Sequence, residues 1–224
     1  VVNVVEVDPN YSELVTTADI APSDLFIYDI IDEDAKTAKI TGMNPVYCNA
    51  YSDGKVNYND TESLYVNTNY SINYNGNIIS DTLVVPYKWT NEDGKEYTIT
   101  EASIYATGRS EYYPGTELPK VKTIIFPDTI TILSGKNSYC EHSDIKKIVL
   151  PKSLEVIESE SFKSCGGIKE ITIPSTIKSV GYRAFAYWGK NQTINIQLKE
   201  SEASSVFGGY GLDSCYATIN YLPE

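Results

Sequence analysis

A short segment, an apolar strand followed by proline, recurs in this chain at a nearly fixed step, and that step limits the folds open to it. Residues 121–127 (VKTIIFP) return as 145–151 (IKKIVLP) and again as 168–174 (IKEITIP), so the prolines stand 24 and then 23 residues apart. Between the second and third copies every landmark moves by the same 23: Ile148 to Ile171, Leu150 to Ile173, Leu154 to Ile177, Ile157 to Val180, Phe162 to Phe185. One such unit cannot bury its own apolar face, whereas stacked units share a continuous core. The step therefore predicts a solenoid.

Residues two apart point to the same side of a strand. Ile124/Phe126, Ile148/Leu150 and Ile171/Ile173 are thus expected to face inward from parallel strands, each stopped by a proline that cannot donate to the ladder. The spacing of Leu154, Ile157 and Phe162 is not a strand alternation and predicts a short helix or helical turn on the return arm. Ile194 and Ile196 keep the 23-residue register, but Gln197 stands in the place of the proline and the next arm is rich in Ser and Gly. Residues 217–223 (ATINYLP) resemble one more strand and proline, either a capping strand or a boundary.

The chain divides into an N-terminal arm or linker (1–22), a β-rich region with an atypical first repeat (23–120) and the array with an irregular C-terminal repeat (121–224). In the middle part, 25–30 and 37–41 flank Asp32, Glu33 and Asp34 and predict a hairpin. Residues 44–80, rich in Tyr, Asn, Ser and Asp, read as an irregular Tyr-rich insertion with short strands. Residues 83–86 (LVVP) form an early strand and proline, with Pro86 standing 41 residues before Pro127. A hairpin accounts for much of the surplus, because Tyr87, Trp89, Tyr97 and Ile99 alternate with polar residues about Asp93-Gly94; a loop over 107–118 adds to it.

With 42% hydrophobic and 21% charged residues in 224, the chain has apolar material for a real core. Its net charge of −12 opposes binding to a phosphate backbone, so no nucleic-acid partner is expected. No apolar run reaches the ~18 residues of a membrane span. The chain begins at Val1 with no initiator Met or charged leader, as a trimmed or mature fragment would. Cys48, Cys140, Cys165 and Cys215 show no metal-ligand spacing and are read as free buried thiols.

The unit at 168–188, with its Ile171-x-Ile173-Pro174 strand, Ile177, Val180-Gly181, Ala184-Phe185 and Trp188, resembles the leucine-rich repeat of the BspA-like type. Residues 145–167 place Leu154, Ile157, Phe162 and Cys165 in the same slots, and 121–144 follow more loosely. The resemblance covers roughly two-thirds of the chain. The asparagine or cysteine of the general leucine-rich consensus is absent, with Ser153 and Thr176 near that place, so an asparagine ladder is not expected. The resemblance implies a secreted or cell-surface protein, typically bacterial, that acts in adhesion or protein binding without enzymatic chemistry or cofactors.

The residues offer little against that expectation. His142 is the only histidine; with Tyr139 aligned on Phe162 and Phe185 it falls in the slot of Cys165 and Trp188, a packing position rather than a catalytic one. Nothing marks out two carboxylates as a catalytic pair. Asp32 to Asp34 and Asn91 to Gly94 lack the ligand spacing of a calcium loop and read as solvated turns. Asn10, Asn59, Asn69 and Asn191 begin glycosylation sequons that matter only in a eukaryotic secretory pathway.

The candidate binding face consists of the strand residues expected to point away from the core on the concave side: Thr123, Lys147 and Glu170 in one column, and Ile125, Val149, Thr172 and Asn195 in the next. Ile125 and Val149 read either as an exposed apolar contact stripe or as strand-stabilising β-branched residues. Of the 19 tyrosines, against 5 Phe and 2 Trp, many cluster outside the array; Tyr58, Tyr65, Tyr70, Tyr74, Tyr112 and Tyr113 are candidate aromatic contacts. The expected partner is a protein, a host or microbial surface macromolecule. The alternatives are a carbohydrate-binding or glycan-processing module and a structural spacer displaying another domain.

Overall fold

A computed structural model describes residues 7–44, 72–74, 77–79, 81–103, 109–110, 113–114, 121–134 and 145–223, with side chains described outside the four shortest segments. In chain order the strands are β1 (Phe26–Asp32), β2 (Thr37–Met43), β3 (Ile72–Tyr74), β4 (Asn77–Ile79), β5 (Thr82–Val84), β6 (Lys88–Thr90), β7 (Glu96–Ala102), β8 (Arg109–Ser110) and β9 (Tyr113–Pro114). They continue with β10 (Thr123–Ile125), β11 (Ile132–Leu133), β12 (Lys147–Val149), β13 (Val156–Ile157), β14 (Glu170–Ile173), β15 (Ser179–Val180), β16 (Thr193–Ile196) and β17 (Thr218–Tyr221). Among the described residues one α-helix, α1 (Glu200–Phe207), precedes β17.

The strands before each proline form an outer row. β5, β10 and β12 pair in parallel, Leu83 opposite Ile124 opposite Ile148. β14, β16 and β17 pair likewise, Ile171 opposite Ile194 opposite Ile219. The early LVVP segment and the last ATINYLP segment thus both join the row. Each proline then opens a tight turn: the amides of Ile130, Leu154 and Ile177 donate to the carbonyls of Pro127, Pro151 and Pro174.

After the turn the chain enters an inner row rather than a helix. β7, β11, β13 and β15 pair in parallel, Leu133 opposite Ile157 opposite Val180. This corrects the helical reading of the return arm: residues 159–164 close it as turns with left-handed backbone at Glu160 (φ 61°) and Ser164 (φ 59°), repeated at Arg183 (φ 54°) and Tyr187 (φ 65°). The predicted hairpin, β1 against β2, extends the inner row, since β2 pairs in parallel with β7. The second predicted hairpin forms from β6 and β7, with Gly94 at φ 78° in its turn. Both polar turns bond to themselves: Asp32 accepts from the amides of Asp34 and Ala35, and Asn91 from those of Asp93 and Lys95.

Between the rows lies one apolar core. Ile124, Phe126, Ile148, Leu150, Ile171 and Ile173 are all buried, as the two-residue alternation requires. Phe162 and Phe185 stack at 5.4 Å, and Phe207 of α1 takes the next place at 6.4 Å from Phe185. The buried Trp188 indole donates to the Phe162 carbonyl at 2.7 Å.

A column of hydroxyls replaces the asparagine ladder. Thr129 donates to the Ile99 carbonyl at 2.8 Å. Ser153 reaches the carbonyls of Asp128 and Ile130, and Thr176 reaches those of Lys152 (2.7 Å) and Leu154 (2.8 Å). Each hydroxyl satisfies main-chain carbonyls of the preceding unit.

The cysteines depart from the free-thiol reading. Cys165 is fully buried and disulfide-bonded. Cys215 is free and half-buried, and burial pushes its thiol up. Cys48, Cys140 and His142 lie outside the described residues.

Candidate binding surface

The outward columns are built as the alternation expects, but their first half is covered. Residues 7–21 cross the outer face of β5, β10 and β12, where Tyr11 and Val15 pack with Val84 and Ile125 in a second apolar cluster bordered by Ile20, Tyr87 and Val149. The Tyr11 hydroxyl donates to the Val85 carbonyl at 2.7 Å, and burial pushes its ionisation far above the ordinary range. Ser12 donates to Asp128 at 2.7 Å, and Glu13 pairs with Lys147 at 2.8 Å. At its end the segment joins the edge of β5: Ile20 bridges Val84 in parallel, and the Ala21 amide donates to the Val84 carbonyl at 2.9 Å. The exposed apolar stripe expected of Ile125 and Val149 is thus corrected. Ile125 is 9% exposed, because an apolar stripe on a sheet face is best removed from water by apolar side chains of the same chain.

The second half is open and polar. Glu170 and Thr172 of β14 and Thr218 and Asn220 of β17 are exposed. Asn195 lies between them, 6% exposed; its amide donates to Glu170, and it accepts from the Asn220 amide at 2.9 Å. Thr123 is half-buried, and Lys147 is exposed at the border between the halves. Sequence reasoning did not place Asn220 in the column, although its 25-residue distance from Asn195 carried the signal.

Of the aromatic candidates, Tyr58, Tyr65, Tyr70 and Tyr112 lie outside the described residues; Tyr74 and Tyr113 fall in β3 and β9, where only the backbone is described. Among the described residues four other tyrosines are exposed on the turn corners, Tyr182, Tyr187, Tyr210 and Tyr216. Tyr182 and Tyr210 lie 6.3 Å apart, and the Arg183 guanidinium sits over the Tyr182 ring at 5.2 Å. Trp89 is engaged internally, stacked on Tyr28 at 4.7 Å and tilted against Tyr97 at 5.5 Å.

Parallel strands, most of them ended by proline, recur at this step over one apolar core, an arrangement that leucine-rich repeats share. More narrowly, residues 134–216 match the model of the BspA type Leucine rich repeat region in six copies. Two crystal structures are similar. A leucine-rich repeat protein from Bacteroides capillosus shares 19% identity over 80% of this chain and 98% of its own, with a TM-score of 0.47. A leucine-rich repeat protein of T. pallidum shares 14% identity over 92% of this chain and 83% of its own, with a TM-score of 0.44. No curated protein matches. Leucine-rich repeat domains are generally protein-interaction modules, typically non-enzymatic, and BspA-type proteins are typically secreted or displayed on the surface. Among the described residues no helix is long and apolar enough to cross a membrane.

Proposed function

We propose that the chain is a non-enzymatic, secreted or cell-surface adhesion module in which the repeats stack as a leucine-rich-repeat solenoid. A protein partner docks on the open half of the outer row, around Glu170, Thr172, Asn195 and Asn220, and the segment up to residue 22 serves as an arm that closes the other half. The observation that carries this reading is the contrast between the halves: the chain covers its apolar outer stripe itself and leaves ordered polar columns in water. Polar rims and hydrogen-bonding columns set specificity at such surfaces. The disulfide at Cys165 supports an oxidising, extracytoplasmic location.

The test is surface plasmon resonance of the full chain against immobilised extracellular proteins, repeated with Thr218→Arg and Asn220→Arg. Binding lost in both variants with unchanged thermal midpoints supports the reading, and binding indifferent to both overturns it. A second reading, glycan binding, is favoured by the exposed Tyr182, Tyr187, Tyr210 and Tyr216, since tyrosine rings offer stacking faces with polar tips. Saturable sugar binding on a glycan array, removed by Tyr182→Ala, selects it.

A further inference from the structure

The outer row breaks at one place among the described strands. No ladder joins β12 to β14, although the inner row runs unbroken at the same level, Val156 opposite Ser179 and Ile157 opposite Val180. The two units are held together from inside while their outer strands lie side by side unpaired. At the foot of this seam the backbones touch: a Cβ on Gly167 would fall on the Ile145 carbonyl oxygen. Along the seam runs a cavity of about 520 Å³, floored by Ile148, Leu150 and Ile171 with Val149 beside them.

Its rim is cationic in a chain of net charge −12. Lys146, Lys147, Lys152 and Lys169 line it and are all exposed. The carboxylates there are Glu13 and Glu170, and both are engaged, Glu13 by Lys147 at 2.8 Å and Glu170 by the Asn195 amide. Lys146, Lys152 and Lys169 make no ion pair among the described residues. No lining residue is aromatic, so the cavity offers no sugar-stacking platform. The facing strand edges present main-chain donors and acceptors outside any ladder, which suit an extended peptide.

We propose that this seam receives an extended acidic segment of the protein partner, its carboxylates among the lysines and its apolar side chains on the Ile and Leu floor. The inference rests on the protein-binding reading and adds the chemistry of the partner. It is tested by fluorescence anisotropy of the full chain with a fluorescein-labelled peptide of about ten alternating Glu and Val residues, beside its Gln/Val counterpart. The Glu/Val peptide is expected to bind at least about tenfold more tightly, to weaken with salt, and to lose about tenfold or more in Lys152→Glu/Lys169→Glu but not in Lys190→Glu. In the unaltered protein, bound peptide is expected to slow hydrogen exchange at the Ile148, Glu170 and Thr172 amides. Equal affinity for the two peptides, preference for polygalacturonate oligomers over the peptide, or unchanged exchange at those amides each overturns the proposal. Protein binding lost in Asn220→Arg without any Glu/Val peptide binding defeats this inference and leaves the wider reading standing.

Discussion

The Tyr11 hydroxyl donates to the Val85 carbonyl at 2.7 Å, tying the N-terminal segment to the chain just beyond β5, 74 residues away. That bond and the Val15 side chain fix the segment over Ile125, so the covered half of the outer row depends on a long-range contact. Tyr11→Phe keeps the ring and removes the donor, leaving a carbonyl that nothing else in the second cluster can satisfy. A loss of about 1 to 3 kcal/mol is expected in urea unfolding, with the slope unchanged. An unaltered midpoint would show that the bond does not hold the segment.

The hydroxyl column gives a second expectation. Thr176→Val preserves shape but strips the proton shared between the Lys152 and Leu154 carbonyls. A cost of about 0.5 to 1.5 kcal/mol is expected, whereas Ser175→Ala, at a neighbouring position outside the hydroxyl column, stays within about 0.5. Equal effects in thermal unfolding would deny the column its role.

Acid should loosen the N-terminal hairpin. Glu33 accepts from the Tyr97 hydroxyl at 2.9 Å and from Lys36 at 3.1 Å, and these bonds hold its carboxyl below the usual range. The folded state thus favours the ionised form. Its contribution is present above the ordinary carboxylate value and is lost as pH falls through the lowered one. Glu33→Gln is expected to shrink the stability difference between neutral and acid solution. An identical pH profile in the variant would refute the coupling.

Thiol counting tests the corrected cysteine assignment. With Cys165 bonded and Cys215 free, denatured but unreduced protein is expected to react at two of its four cysteines, and at all four after reduction. Four reactive thiols without reductant would remove the disulfide and its support for an extracytoplasmic location.

Where neighbours along the chain decide the structure, the sequence was readable. The 23-residue step placed Ile171 opposite Ile194, Leu83-to-Pro86 revealed a strand of the outer row, and Asp93-Gly94 marked its hairpin. The return arm misled because β13 and β15 are two residues long, too short for any alternation to show. Its corners also use left-handed backbone at Glu160 and Arg183, which side chains do not announce as glycine would. The α1 helix hid in a Ser-rich stretch in which Ala203 and Phe207, four apart, are the buried residues. Coverage of Ile125 by Tyr11 and Val15 joins positions more than a hundred residues apart, a contact that no local pattern encodes.

That coverage divides the outer row into a closed apolar half and an open polar half, and everything proposed about recognition depends on it. The most direct measurement is a nuclear Overhauser experiment on methyl-labelled protein, observing the Tyr11 ring protons against the methyls of Val84 and Ile125. The account predicts strong cross-peaks to both, with no aromatic cross-peak at the Thr172 methyl. Absent Tyr11 cross-peaks, with random-coil shifts for residues 7–21, would contradict it.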